Sequence, residues 1–172
     1  QLRNLMKKHY PRSGRNFYTA FLEKSLDLLE DGGRLGTITP QTFMFISSLQ
    51  PIRKWLTDNA AIETLVHTGL STFDDAVVDC AFYVLRKTKQ NSTHTDGCFL
   101  RLLEGRNSTE KSRLLSKLVK KVKSSQKDKR IFSVTQTNFD KLPRSPWVYW
   151  ITPGLTSVFE NFPRLADRAE IR

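Results

Sequence analysis

Asn16-Phe-Tyr-Thr-Ala-Phe-Leu-Glu-Lys-Ser-Leu-Asp-Leu-Leu-Glu-Asp-Gly-Gly-Arg-Leu-Gly-Thr-Ile-Thr-Pro40 is the stretch that decides the fold. Between Phe17 and Glu30, Tyr18, Phe21, Leu22, Ser25 and Leu29 recur at helical spacing, which predicts an amphipathic helix with those residues on its inner face. Asp31-Gly32-Gly33 stops it, because glycine takes the left-handed cap conformation without a Cβ clash. A short strand, Arg34 to Thr39, follows at once, and Pro40 ends it.

Downstream, the loop from Gln41 to Ser48 carries Phe43, Met44, Phe45 and Ile46. A second helix is expected from Ser47 or Ser48 to about Asn59, with Pro51 in its first turn and Ile52, Trp55 and Leu56 facing the core. Ile62 to Thr68 is rich in β-branched residues and reads as a strand. Gly69 to Ala76 is a polar loop, and Val77 to Leu85 is a near-continuous apolar run, the mark of a strand buried on both faces. Helix, strand, helix, strand, strand is one half of an α/β sheet, with the last two strands close enough to pair antiparallel. The expected architecture is an open, Rossmann-like sheet with an antiparallel hairpin at one edge.

After Lys89 the texture changes. Gln90 to Gly97 is turn-like, Cys98 to Leu103 reads as another short strand, and Leu114, Leu115, Leu118, Val119 and Val122 form an apolar helical stripe. That stripe lies in a window, 106–130, with ten basic residues and two acidic ones, so most of the formal charge of +11 is concentrated there. An anionic partner suits such a window, with Lys117, Lys120, Lys121 and Lys123 as candidate contacts to a DNA backbone; a solvated linker helix is the other reading. From Ile131 the chain is irregular and aromatic, with Phe132, Phe139, Trp147, Tyr149, Trp150, Phe159 and Phe162 among four prolines and a helix from Pro153 to Phe162. Three parts are expected: 1–105 as the α/β unit, 106–130 as a basic helical linker, and 131–172 as a connector into a further domain.

Familiar catalytic signatures are missing: no GxGxxG, P-loop, HExxH or GxSxG motif occurs. His9, His67 and His94 are scattered, and His67 in a strand reads as a core or edge histidine. Asp74, Asp75 and Asp79 match no calcium template, and no metal is expected. Cys80 and Cys98 form neither a CxxC pair nor a disulfide framework, which fits a reducing compartment. No signal peptide and no apolar stretch of membrane-spanning length are present, so a cytoplasmic location is expected and the sequons at Asn91 and Asn107 are chance matches. The chain begins with Gln1 and runs straight into a helix-like segment, as expected for a piece of a larger protein.

The order of these segments carries a resemblance. Asn16 to Pro40 resembles the helix and strand that follow the catalytic Asn-Pro-Pro-Tyr loop of adenine-N6 DNA methyltransferases. Ile62-Glu-Thr-Leu-Val-His-Thr-Gly69, a loop with Phe73, and Asp79-Cys-Ala-Phe-Tyr-Val-Leu-Arg-Lys87 resemble that family's closing β-hairpin. The finer likeness is to the bacteriophage-exclusion (BREX) methyltransferases, the PglX family, through Lys8-His-Tyr-Pro11, Ser145-Pro-Trp-Val-Tyr-Trp150 and Phe159-Glu-Asn-Phe-Pro-Arg-Leu165. It covers 1–88 well and 131–172 loosely, and leaves 90–130 unmatched.

The resemblance implies methyl transfer from S-adenosylmethionine to the exocyclic amine of an adenine flipped out of double-stranded DNA, in phage defence alongside other defence proteins. Neither Asn-Pro-Pro-Tyr nor the glycine-rich cofactor loop occurs here, so the catalytic residues are expected upstream and the piece is expected to be inactive alone. Phe73 would lie against the flipped adenine or plug its own loop, and Tyr18 and Phe21 would border the cofactor or pack in the core. Thr39 and Pro40 would line the cleft rim at the carboxyl end of the first strand, with Gln41 or Thr42 touching the target nucleotide. A non-catalytic DNA-binding or scaffold module with half a methyltransferase fold is the alternative. An RNA methyltransferase is a third reading.

Overall fold

A computed structural model describes residues 1–14, 16–73, 77–88 and 96–162 of the chain. Helix α1 (Leu2–His9) leads through a turn into α2 (Phe17–Asp27). The buried positions of α2 are Thr19, Ala20, Leu22, Glu23 and Leu26, so the inner face is turned relative to the one the apolar pattern predicts, and Phe21 is 69% exposed. Polar anchoring sets that turn: the fully buried Ser13 hydroxyl donates to the Glu23 carboxylate, which Arg12 meets at 3.1 Å, and Thr19 donates to the Ser13 carbonyl at 2.6 Å. Lys87 holds the far end, its ammonium donating to the Leu29 carbonyl at 2.7 Å.

Strand β1 (Arg34–Pro40) is followed by two 3₁₀ turns, Gln41–Met44 and Ser47–Leu49, then α3 (Gln50–Asn59) and β2 (Ala60–Gly69). Strand β3 is Cys80–Lys87; Val77 and Val78 precede it and are exposed, so the strand is shorter than the apolar run that marks it. β2 and β3 pair antiparallel, as the hairpin reading predicts, but β3 is not at an edge. It lies between β1 and β2 and pairs antiparallel with both. A strand with Ala81, Tyr83 and Leu85 buried needs partners on both sides to satisfy its backbone. Glu63 ties the arrangement from β2, accepting from Arg34 of β1 at 2.7 Å and Arg86 of β3 at 2.9 Å.

The sheet continues beyond β2. Strand β4 (Asp96–Arg101) runs parallel to β2, and β5 (Ile131–Thr135) pairs antiparallel with β4, giving the order β1-β3-β2-β4-β5. Gly97 allows the close approach of β4: a Cβ there would sit 2.3 Å from the Ile62 carbonyl oxygen. Between β4 and β5 comes α4 (Ser108–Lys123), with Asn107 capping its start by accepting from the Glu110 amide. A 3₁₀ segment, Gln136–Lys141, follows β5, and α5 (Pro153–Asn161) comes last.

Two apolar layers flank the sheet. One joins Leu22 and Leu26 of α2, Ile52 and Leu56 of α3, sheet residues Leu65, Tyr83 and Phe99, and the aromatics Phe139, Trp147 and Tyr149. The other places Leu114, Leu115 and Leu118 of α4 over Val66, Phe82 and Leu100. The segments expected as linker and connector are thus built onto the sheet. Ile131–Thr135, expected to be irregular, is a strand, and Gln136 repairs the bulge in β2 by accepting from Ile62 N and donating to the Thr57 and Ala60 carbonyls. No described helix is long and apolar enough to cross a membrane.

Candidate functional site

β1 and β2 point the same way with β3 between them, and β4 is parallel to β2, so all three end on one rim. Open α/β sheets bind ligands outside such carboxyl ends. Pro40 closes β1 there, half-buried, and the next amide, Gln41 N, donates to the Asp79 carbonyl at 2.8 Å, fixing the turn. Thr39 points inward: it is buried, its hydroxyl 3.1 Å from the Tyr83 hydroxyl.

Behind the rim is a buried polar relay. His67, near the end of β2 and 3% exposed, has its Nε2 against Gln41 Oε1 and its Nδ1 2.9 Å from the Tyr149 hydroxyl. Gln41 Oε1 can only accept, so Nε2 carries the proton, Nδ1 accepts, and Tyr149 donates. Burial, reinforced by the charges of Arg101 and Lys111, lowers His67 to about 4 and keeps the ring neutral, as this relay requires. Burial also raises the Tyr149 hydroxyl far above its usual range. The relay leaves the Gln41 amide nitrogen without a hydrogen bond among the described residues, a fixed donor for an acceptor at the rim. Trp150 stacks on His67 at 6.0 Å between centroids, and Phe45 meets Trp150 edge-on at 5.7 Å.

Comparison with known proteins gives this rim a context. Residues 1–73 match the family model of the Eco57I restriction-modification methylase. The adenine-specific methyltransferase BrxX of Escherichia coli O9:H4 (strain HS) is 28% identical over 172 residues, 98% of this chain and 13% of that protein. The adenine-specific methyltransferase PglX of Lacticaseibacillus casei (strain Zhang) is 26% identical over 152 residues, 87% of this chain and 12% of that protein. Over most of its length the chain is similar to the BrxX and PglX adenine-specific methyltransferases. It spans about an eighth of their length. Among solved structures, the methyltransferase subunit of a type I restriction-modification system from Streptococcus thermophilus superimposes with a TM-score of 0.58 at 18% identity, over 78% of this chain and 30% of that one. The fold is therefore an α/β sheet like part of that subunit's.

The residues expected at a methyltransferase site are only partly gathered here. Gln41 and Thr42 stand together after β1, and Tyr18 reaches them by a hydrogen bond to the Thr42 side chain while burial raises its phenol pKa. Tyr18 packs against the core, and Phe21 points to solvent. Phe73 is 45% exposed and lies 6.4 Å from Phe82, whose side chain belongs to the α4 face of the sheet, opposite the relay. On α4, Lys117, Lys120 and Lys123 are exposed, whereas Lys121 is held by Asp128 at 2.7 Å. Lys111, from the same basic window, is buried and donates to the Thr68 and Leu102 carbonyls. Asp74, Asp75, Asn91, His94, Pro163, Arg164 and Leu165 lie outside the described residues.

Sequence reasoning passes over the residues that organise the rim: His67 in this role, Tyr149 and Arg53. Arg53 is fully buried and donates to the carbonyls of Phe43, Ile46, Arg144 and Ser145, locking the loop after β1 onto the turn before Trp147. Burial lowers its pKa to about 10. The signal for Tyr149 and Trp150 was available in Trp147-Val-Tyr-Trp150, whose spacing sends Trp147 and Tyr149 inward.

Proposed function

We propose that the chain forms the second half of the catalytic domain of an adenine-N6 DNA methyltransferase acting in phage defence, and that it is inactive without the rest of that domain. The single observation that carries this is the rim itself: a donor amide, Gln41, fixed by a buried relay at the carboxyl ends of a methyltransferase sheet, in a chain similar to two adenine-specific methyltransferases. Strand β1 ends the sheet and leaves Ile38 46% exposed, which suits an edge that pairs with further strands of the same domain.

Transfer to the exocyclic amine requires the adenine to leave the duplex and be gripped. Gln41 can donate to an adenine ring nitrogen, with Thr42 beside it. Phe73, from the loop after β2, offers an aromatic face for stacking, which needs no hydrogen-bond match. The methyl donor proposed is S-adenosylmethionine, but the residues here do not build its pocket. Tyr18 is committed to the core and to Thr42, and the exposed Phe21 ring alone cannot hold a cofactor. Double-stranded DNA is the proposed substrate, and other defence proteins are proposed partners.

The test is transfer of labelled methyl groups to duplex DNA, comparing this chain with the complete protein carrying it. Activity in the complete protein and none in the chain is expected. A complete protein that binds DNA yet transfers nothing would favour a non-catalytic DNA-binding module.

A further inference from the structure

Four arginines are partly or fully buried among the described residues: Arg53, Arg86, Arg101 and Arg130. Three are satisfied. Arg53 has its carbonyls, Arg86 has Glu63 at 2.9 Å, and Arg130 has Asp128 at 2.8 Å and Glu104 at 3.6 Å. Arg101 has no side-chain hydrogen bond or ion pair within the described residues. Its guanidinium lies over the Trp150 ring instead, 4.9 Å from the centroid.

A partly exposed guanidinium whose N–H donors meet no protein acceptor is available to an acceptor from outside. Its place narrows what that is. Arg101 is the last residue of β4 and pairs in register with His67, so it stands on the same rim as Gln41. It opens on a depression of about 310 Å³ that Leu103, Glu104, Lys129 and Arg130 also line. Glu104, the one acid there, is shared between Lys129 at 3.7 Å and Arg130, so the depression stays cationic. A guanidinium held over a ring is positioned while its N–H donors remain available, an arrangement that suits a phosphate.

We propose that Arg101, carried on Trp150, binds a backbone phosphate of the nucleic-acid strand next to the target nucleotide. This rests on the reading of the chain as part of a DNA methyltransferase. It adds a phosphate anchor on the rim, separate from the lysines of α4. Trp150 is a positioning residue that holds the guanidinium.

The test is binding of a fluorescently labelled duplex by the full chain across a salt series, for the wild type, Arg101→Gln, Arg101→Lys and Trp150→Leu, with thermal melts to verify folding. Losing one phosphate contact lowers the salt slope by about 0.9 and the affinity at low salt by about tenfold, so Arg101→Gln is expected to do both. Arg101→Lys is expected to restore the slope, and Trp150→Leu to keep the slope while weakening binding. An unchanged slope in a folded Arg101→Gln chain overturns the proposal. So does displacement of the DNA by inorganic phosphate at matched ionic strength, which would mark a site for the free anion. This assay does not read methyl transfer: failed methylation by the complete protein with an intact Arg101 effect overturns the proposed function alone, and the reverse pattern overturns the phosphate anchor alone.

Discussion

The Nδ1 of His67 lies 2.9 Å from the Tyr149 hydroxyl, joining the end of β2 to a residue 82 positions later in the chain. That bond makes the aromatic segment after β5 part of the rim. It also gives the fold a pH dependence. Burial first, then Arg101 and Lys111, lowers the imidazole from 6.5 to about 4. Between those values the unfolded chain binds a proton that the folded chain does not, so His67 contributes stability that is complete above 6.5 and lost as the pH falls to about 4. The loss is about 3 kcal/mol. Urea titrations across this range are expected to show a steeper decline for the wild type than for His67→Gln; parallel curves would refute the assignment. Nitrogen NMR of the imidazole is expected to find the proton on Nε2, and a proton on Nδ1 would mean that Gln41 presents its oxygen to the rim.

Arg53 is the second structural prediction. Its four carbonyl partners would lose a charged donor in Arg53→Met, at a cost of about 2–4 kcal/mol. The loop from Gln41 to Ile46 would loosen with it. Thermal melts combined with hydrogen exchange at Phe45 and Ile46 measure both effects, and exchange that stays as slow as in the wild type would show the loop is held by other contacts.

The basic face of α4 divides into two kinds of lysine. Lys117 and Lys120 are exposed, and replacing both with Ala is expected to lower the salt slope of DNA binding by roughly 2 with little change in stability. Lys121→Ala is expected to act the other way. It removes a partner from Asp128, whose carboxyl Arg130 and then Lys121 hold far below the usual range, and costs about 1 kcal/mol of stability with a smaller change in slope. Equal slopes for the two variants would contradict this division.

How much of this was legible beforehand follows from the range of the interactions. The strand before Pro40 and the antiparallel pairing of β2 with β3 come from local chemistry and adjacent segments, which sequence records directly, whereas α2 ends at Asp27, with Leu28 as its cap, short of the glycine stop expected at Gly32. The face of α2 came out rotated because the Glu23 contacts with Ser13 and Arg12 outweigh an exposed Phe21, and apolar periodicity does not see a buried carboxylate with polar partners. Strand β5 was missed because its five residues show no period and its pairing is with β4, far upstream. Gln41 was legible as a rim residue from the strand end alone. The relay behind it was not, since His67 and Tyr149 meet only in three dimensions.

Phe73 separates a functional aromatic from a structural one. It is 45% exposed and touches Phe82 at the margin of the α4 layer, so Phe73→Ala is expected to cost under about 1 kcal/mol of stability. A ring stacked on the flipped base contributes about 1–3 kcal/mol, which predicts a fall of roughly tenfold or more in kcat/KM for DNA in the complete protein. Unchanged kinetics would remove Phe73 from the site, which its position on the face opposite the relay makes a sharp test.

The most direct test of the central claim is nucleoside analysis by mass spectrometry of duplex DNA incubated with S-adenosylmethionine and the complete protein carrying this chain. N6-methyladenine is the predicted product, reduced about tenfold or more in a Gln41→Ala variant that folds normally. Methylation of cytosine, or DNA left unmodified by a folded, DNA-binding protein, would contradict it.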